Sequence, residues 1–284
     1  MPVAANDVAY CLEDTPKHMP LQDFDGKISI IMPAYNEQFH ISKTISETRK
    51  VLDESDCDYE IIIVDDGSTD DTFMEASKIG SLCGEVRVVK CESNGGKGHA
   101  VKFGFNHARG ELVVFLDADL DLHPEQINSL YEYLNTCQAD VVIGSKRHPR
   151  SKLDYPFHRK IVSNVYYFFI KALFGLPIKD TQTGIKIFKH EVLENIFPQV
   201  FVKRYAFDLE LLVNAHHLGY KIAEAPIVLD FKRNGRIRLI DIYHVLIDTM
   251  AIFYRLHILK CYDKPEYDKS KKRRSSESID NYSS

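Results

Sequence analysis

Apolar and polar positions along this chain follow two rhythms. Between 28 and 116, short apolar runs alternate with stretches whose apolar positions recur every three or four residues. The runs 28–32, 59–64, 86–90 and 112–116 read as strands, and 41–52, 71–83 and 98–108 read as helices. In the first of these helices, Ile41, Ile45, Thr48 and Leu52 share one face. Continuously apolar strands separated by helices predict a parallel sheet covered on both sides. Ligands in such sheets bind at the carboxyl ends of strands, and every polar motif of this half falls there.

The second half is less regular. A helix is predicted over 124–135, with Pro124 near its start, then a strand over 140–144 and an aromatic-rich helix over 158–174. A short strand (183–188), a helix closed by Gly219 (207–218), a strand interrupted by Pro226 (221–229) and an amphipathic helix (239–259) complete it. Three regions follow: a polar, flexible arm over 1–26, one α/β domain over 27–261, and a basic, disordered tail over 262–284. Within 264–274, six Lys/Arg stand against Glu266 and Asp268, a local charge of +4.

Composition narrows the picture. The 284 residues are 44% hydrophobic and 27% charged, with a net charge of −5. That balance argues against a nucleic-acid partner. The six cysteines form no Cys-x-x-Cys pair and read as reduced thiols in a reducing compartment. The N-terminus lacks the basic and apolar regions of a signal peptide. The run 165–178 is too short to span a bilayer and carries Lys171; 237–259 holds Arg238, Asp241, Asp248 and Arg255.

The strand over 112–116 ends in Asp117, Asp119 and Asp121 at alternate positions. Carboxylates placed so close repel unless a cation neutralises them. Hard oxygen ligands suit Mg²⁺ or Mn²⁺, commonly bound with substrate phosphates. The competing reading is an acidic loop in solvent. After the first strand come Pro33, Ala34, Tyr35 and Glu37, able to wall a base and to accept hydrogen bonds from base or ribose. After the second comes the Asp65-Asp66 pair, with Gly67 for a tight turn and Ser68 or Asp70 to cap the next helix. A ribose or base N–H would answer the repulsion in the Asp pair. After the third come Gly95-Gly96-Lys97-Gly98, where backbone can approach a ligand and Lys97 can meet a phosphate. This is not a P-loop, since Gly98 follows the lysine.

Pro33-Ala-Tyr-Asn-Glu37, Val64-Asp-Asp-Gly-Ser-Thr-Asp70, Gly95-Gly-Lys-Gly98 and Leu116-Asp-Ala-Asp-Leu120 occur in this order at successive strand ends. In that order they resemble a GT-A fold glycosyltransferase of family 2, most of all the dolichol/polyprenol-phosphate mannosyl- and glucosyltransferases, over residues 27–235. The resemblance implies that Pro33, Ala34, Tyr35, Glu37 and Asp66 hold the nucleotide base and ribose. It implies that Asp117, Asp119 and Asp121 form the metal segment whose ion bridges the diphosphate, and that Asp117 and Ala118 also help bind the nucleotide. The third position is often Gln in that family, so Asp121 adds negative charge.

Further matches lie in the second half. Gly144-Ser-Lys-Arg147 is similar to the family's Gly-Ser-Arg segment, with Arg147 favoured over Lys146. Arg159-Lys-Ile-Val-Ser163 resembles an Arg-x-x-x-Ser element that meets the acceptor phosphate, and Asp180-Thr-Gln-Thr-Gly184 an element near the acceptor. Gly219–Ile227 resembles the segment before a phosphate-binding arginine, a role falling on Arg233 or shared with Arg236.

The implied activity is inverting, metal-dependent transfer of a sugar, mannose or glucose, from GDP-mannose or a UDP-sugar to a polyprenyl or dolichyl phosphate. A phosphate acceptor is already a nucleophile; a hydroxyl acceptor would need a base, for which Asp180 and Asp208 are the candidates. The aromatic helix, the final helix and the basic tail fit a peripheral enzyme on the cytoplasmic face of a membrane and leave room for an integral-membrane partner. Two other classes compete. In a haloacid-dehalogenase phosphatase, Asp-x-Asp stands near the domain start and is followed by Thr or Val rather than Leu120. The other is a non-catalytic nucleotide-sugar-binding protein.

Overall fold

The computed structural model describes residues 21–153, 157–204, 206–229 and 239–263; at 153, 157–162 and 239–242 the description is of backbone alone. The expected arm (apart from 21–26) and the tail from 264 onward therefore lie outside the described residues.

The apolar runs form strands, as their pattern predicts. They are β1 (Lys27–Ala34), β2 (Asp58–Asp65), β3 (Val86–Lys90) and β4 (Leu112–Leu116), joined through α1 (Ile41–Glu54), α2 (Thr72–Gly80) and α3 (Lys97–Phe105). After β4 come α4 (Gln126–Thr136), β5 (Val141–Ser145), β6 (Lys152–Leu153), α5 (Phe157–Phe174), β7 (Ile185–Lys189), α6 (His190–Ile196), α7 (Phe207–His217), β8 (Ile222–Pro226), β9 (Val228–Leu229) and α8 (Leu239–His257). The sheet runs β3-β2-β1-β4-β7-β5-β8, and β6 pairs with β9 separately.

Strand side chains alternate between faces, and the core divides accordingly. Ile28, Ile30 and Met32 of β1 join one apolar cluster with Ile41 and Ile45 of α1 and Ile127 and Leu130 of α4. Ile31 points the other way, into a cluster with Val101 of α3 and Leu209 and Leu212 of α7. Both faces are covered, which is why every residue of β4 is buried.

β7 is the departure from a purely parallel sheet. It runs antiparallel to both β4 and β5, and Leu116 at the end of β4 is paired with Ile185 at the start of β7. The segment before β7 is thereby brought to the same sheet edge as the carboxyl ends of β1, β2 and β4. That reversal is what adds second-half residues to the site.

Several boundaries shift. The helix expected over 71–83 is confined to α2, since the chain turns at Ser81. The strand expected from 183 begins at Ile185. The interruption at Pro226 divides 221–229 into β8 and β9. The short helix α6 was not anticipated. Cys57, Cys83, Cys91 and Cys261 are free, but Cys137 is disulfide-bonded, so cysteine usage no longer argues for a reducing compartment.

Candidate active site

The donor positions from four separate strand ends converge. Pro33, Ala34, Tyr35, Glu37, Asp66, Lys97, Asp117, Ala118 and Asp119 all line one cavity of about 620 Å³. Asn94, Gly96, Ala100, Gln182, Arg204 and Asp208 complete its wall. Of this second group Asp208 was a candidate from sequence, and Gly96 and Gln182 lay within motifs singled out there.

The base-side wall is held by cross-strand hydrogen bonds. The N–H of Asn36 donates to Ser68 Oγ at 3.0 Å, and the N–H of Glu37 to Thr72 Oγ1 at 2.7 Å. Asp70 accepts the N–H of Thr72 at 3.0 Å and that of Gln38 at 3.3 Å. It thus satisfies a donor at the start of α2 while tying the β1 loop to it. Asp70 sits below the usual carboxylate range: burial opposes the shift, but the hydrogen bonds from Thr72 and Gln38 outweigh it.

Groups of the protein itself, besides any ribose or base N–H, answer the charge of the Asp65-Asp66 pair. Asp66 accepts the N–H of Gly95 at 3.0 Å and of Gly96 at 2.7 Å. Asp65 accepts the N–H of Ser68 at 3.1 Å and lies 3.8 Å from Lys90 Nζ.

At the end of β4 the carboxylates enter a ladder of alternating charge. Lys97 Nζ, on the first residue of α3, lies 2.8 Å from Asp117 Oδ1 and 3.7 Å from Asp208 Oδ2. Behind Asp208, the buried Lys186 of β7 donates to it at 2.8 Å and also to the carbonyl of Thr183. Burial disfavours the charged form of Lys97, but Asp117 and Asp208 hold its pKa above the ordinary value. Asp208 is likewise kept ionised, with Lys186 and Lys97 outweighing burial.

Among the described residues, no lysine lies within ion-pair distance of Asp119. Burial, then repulsion from Asp117, push its carboxyl up to about 6. Two carboxylates at one strand end, one of them raised by the other, are a donor set that a hard divalent cation fits. Asp117 is positioned from behind by backbone: a Cβ at Gly184 would lie 2.1 Å from Asp117 Oδ2. Only glycine at 184 leaves that carboxylate its place. Leu120 follows with φ of 59°, and the chain turns so that Asp121 does not line the cavity. Its N–H instead donates to Asp119 Oδ1 at 3.1 Å.

The acceptor candidates fall into three groups. Arg147 donates from Nη2 to Ser163 Oγ at 2.8 Å and from Nη1 to Asn164 Oδ1 at 2.6 Å, and its guanidinium lies over the Tyr167 ring. Arg147, just past the end of β5, is thus brought against Ser163 of α5, the residue predicted to meet the acceptor phosphate. Asp180 is buried and taken up by structure: it accepts the N–H of Lys146 at 3.0 Å and of Gln182 at 3.2 Å. It orders the turn that delivers Gln182 to the cavity and is not itself among the lining residues. Arg159 lies in α5 with no described side chain, and Arg233 and Arg236 lie outside the described residues.

Arg204 is supplied by a loop that sequence periodicity does not reveal. The carbonyl of Lys203 accepts the N–H of Gly98 at 2.8 Å, closing this loop over the start of α3. Glu210 anchors it from the other side, accepting the N–H groups of Phe201 at 2.9 Å and Val202 at 2.6 Å. Glu210 also takes Arg255 of α8 at 3.0 Å and the hydroxyl of Tyr262. The signal for this anchor was Phe207-Asp208-Leu-Glu210, two acids set among apolar residues at the start of α7.

The family model described as Glycosyl transferase family 2 matches residues 29–197. A dolichyl-phosphate beta-glucosyltransferase of Dictyostelium discoideum is 34% identical over 213 residues, covering 70% of this chain and 65% of that protein. The chain thus spans just under two thirds of that relative's length. A dolichyl-phosphate beta-glucosyltransferase of Trichomonas vaginalis is 30% identical over 250 residues, covering 84% of this chain and 76% of the other. Among solved structures, Mycobacterium tuberculosis glucosyl-3-phosphoglycerate synthase with Mn²⁺, UDP-glucose and phosphoglyceric acid superposes with a TM-score of 0.62. It is 23% identical, over 87% of this chain and 83% of that one. The fold is therefore GT-A, as the motif order implied.

Proposed function

The chain belongs to glycosyl transferase family 2, and from that premise we propose that it is a metal-dependent, inverting glucosyltransferase using UDP-glucose and a dolichyl or polyprenyl phosphate. The observation that carries this reading is the convergence of Pro33, Ala34, Tyr35, Glu37, Asp66, Lys97 and Asp117–Asp119 on one cavity. Glucose is preferred to mannose because the relatives above are named beta-glucosyltransferases. A uridine donor and Mn²⁺ are supported by the mycobacterial neighbour, which was solved with both.

In this reading Asp117 and Asp119 hold Mn²⁺ or Mg²⁺, and the ion supplies charge neutralisation for the diphosphate leaving group. Pro33, Ala34, Tyr35, Glu37 and Asp66 hold the nucleoside. Lys97 and Arg204 sit where negative charge grows on the leaving group, and their fixed positions make that stabilisation available without rearrangement. Arg147 and Ser163 hold the acceptor phosphate, with Arg159 as a third contact. An anionic phosphate oxygen needs no base, so Asp208 is left to position Lys97 rather than to accept a proton.

A lipid acceptor is favoured by the surface beside Arg147. The helix α5 that carries Ser163 and Asn164 also exposes Val165 and Phe168. It packs on α8, with Phe174 against Phe253. On α8, Tyr243, Ile247, Met250 and Tyr254, with Ile258 just past its end, are exposed at helical spacing, forming an apolar stripe. Among the described residues no helix is long and apolar enough to cross a membrane. The stripe suits an amphipathic helix lying in a bilayer surface, bringing the lipid phosphate to Arg147.

A thermal-shift series tests the donor. UDP-glucose with Mn²⁺ is expected to raise the melting temperature more than GDP-mannose does, because ligand stabilisation grows with concentration over Kd. A larger shift with GDP-mannose would contradict the glucose assignment.

A further inference from the structure

The β3–α3 junction gathers metal-binding side chains that the transfer chemistry does not use as a metal site. Cys91 Sγ, a ring nitrogen of His99 and a carboxylate oxygen of Asp66 all lie within 4.8 Å of one another. Cys91 is buried at the carboxyl end of β3, its N–H donating to the Asp65 carbonyl at 2.8 Å. His99 Nδ1 is shut away from solvent with no hydrogen-bond partner, 3.5 Å from Asp66 Oδ1. A buried polar atom left without a partner asks for an explanation, and a bound ion is one of the few.

Each donor is held in place independently. The His99 ring lies against the Gly95 backbone, where a Cβ would meet it at 2.4 Å, and stacks on Phe103 at 6.5 Å between centroids. Asp66 is fixed by the N–H groups of Gly95 and Gly96. An ionised carboxylate offers about four lone-pair sites, so those two bonds leave room for a metal. One thiol, one imidazole and one carboxylate are not the all-oxygen set that Mg²⁺ or Mn²⁺ favours; they suit Zn²⁺.

We propose that Asp66, Cys91 and His99 form a Zn²⁺ site at the edge of the donor cavity, and that filling it shuts out the nucleotide. Asp66 belongs to both sites, so the ion and the nucleoside compete for one carboxylate; this second half rests on the donor reading above. Binding displaces the thiol proton to solvent and leaves thiolate on the metal. The three protein ligands leave a fourth position for water. No redox change is involved.

Co²⁺ is the probe, because a thiolate ligand gives it a charge-transfer absorption. Titration of the full-length protein with Co²⁺ is expected to give this absorption at one equivalent, bleached by Zn²⁺. The Cys91→Ser and His99→Ala variants, with folding checked by circular dichroism, are expected to bind about tenfold or more weakly. No absorption in the wild type would overturn the site, as would an unchanged signal in Cys91→Ser, which would put the ion on another cysteine. The competition is read separately, with Mn²⁺ in excess. Zn²⁺ should raise the apparent KM for UDP-glucose in the wild type while leaving Cys91→Ser unaffected, and equal inhibition of both would overturn the coupling. The cobalt titration needs neither donor nor transfer, so its failure is distinct from failure of the glucosyltransferase reading.

Discussion

The Lys97 ammonium lies 2.8 Å from the Asp117 carboxylate, where a divalent ion on the strand-end aspartates would place its own charge. In the proposed reading, lysine and metal therefore compete for Asp117 until the donor arrives. The diphosphate then offers Lys97 an alternative anion, and Asp208, 3.7 Å away, keeps it within reach.

Replacing Lys97 by Met is expected to separate these roles. Without donor, Mn²⁺ affinity should rise about tenfold, roughly the 1.4 kcal/mol worth of one charge-assisted contact. The transfer rate should fall, because a cation facing the leaving group is lost. Mn²⁺ binding followed by electron paramagnetic resonance, beside kcat, checks both; weaker Mn²⁺ binding would count against competition.

Gly184→Ala puts a methyl group 2.1 Å from Asp117 Oδ2. Either the carboxylate or the β4–β7 edge must give. Transfer is expected to fall by about 100-fold, the scale of a misplacement of about 1 Å, and Mn²⁺ binding should weaken with it. Wild-type kcat/KM in the alanine variant would show that Asp117 does not need this position.

Arg147 holds Ser163 and Asn164 on α5. Arg147→Ala should raise the KM for lipid phosphate by about tenfold or more, the loss expected from one charge-assisted pair at about 1.5–3 kcal/mol. The KM for UDP-glucose should not change. Arg147→Lys should recover little, because a point charge cannot make both bonds. Steady-state kinetics with each substrate varied in turn would expose a donor role instead.

Much of this site is legible in the chain because its parts sit at the ends of unmistakable strands. Leu112–Leu116 is apolar throughout and stops at Asp117, so both the strand and its carboxyl end can be read directly. Four features could not be read this way. The direction of β7 is invisible, since Ile-Lys-Ile has the same pattern whichever way it runs, and direction alone sets Gly184 against Asp117. Lys186 reads as a solvent-facing position between two isoleucines, yet it is buried, because both faces of the sheet are covered and Asp208 answers its charge. Asp121 continues the alternation of the aspartates in sequence, but the left-handed turn at Leu120 breaks that alternation in space. Arg204 and Gln182 lie on loops placed by tertiary packing, where no periodicity marks them.

Asp70 gives the account a pH signature away from the metal. Its carboxyl is depressed in the folded protein, so its contribution is present above the unfolded value of about 3.9. It is lost as pH falls through the lower folded value. Asp70→Ala should destabilise by about 1 kcal/mol at neutral pH, the usual worth of a helix-start acceptor. The gap from wild type in urea unfolding should hold between about pH 5 and 8 and close below about pH 4. A gap that persisted in acid would assign the effect to packing rather than charge.

In the proposed reading, Asp117 and Asp119 carry a metal-bound sugar nucleotide toward a lipid phosphate. The most direct measurement incubates the protein with UDP-glucose, dolichyl phosphate in vesicles and Mn²⁺, and identifies the product by mass spectrometry and its anomer by NMR. The account predicts β-linked glucosyl phosphate dolichol, with formation abolished by chelator and reduced by at least about 100-fold in Asp119→Asn. Product that forms equally well with chelator, or in Asp119→Asn, would contradict it.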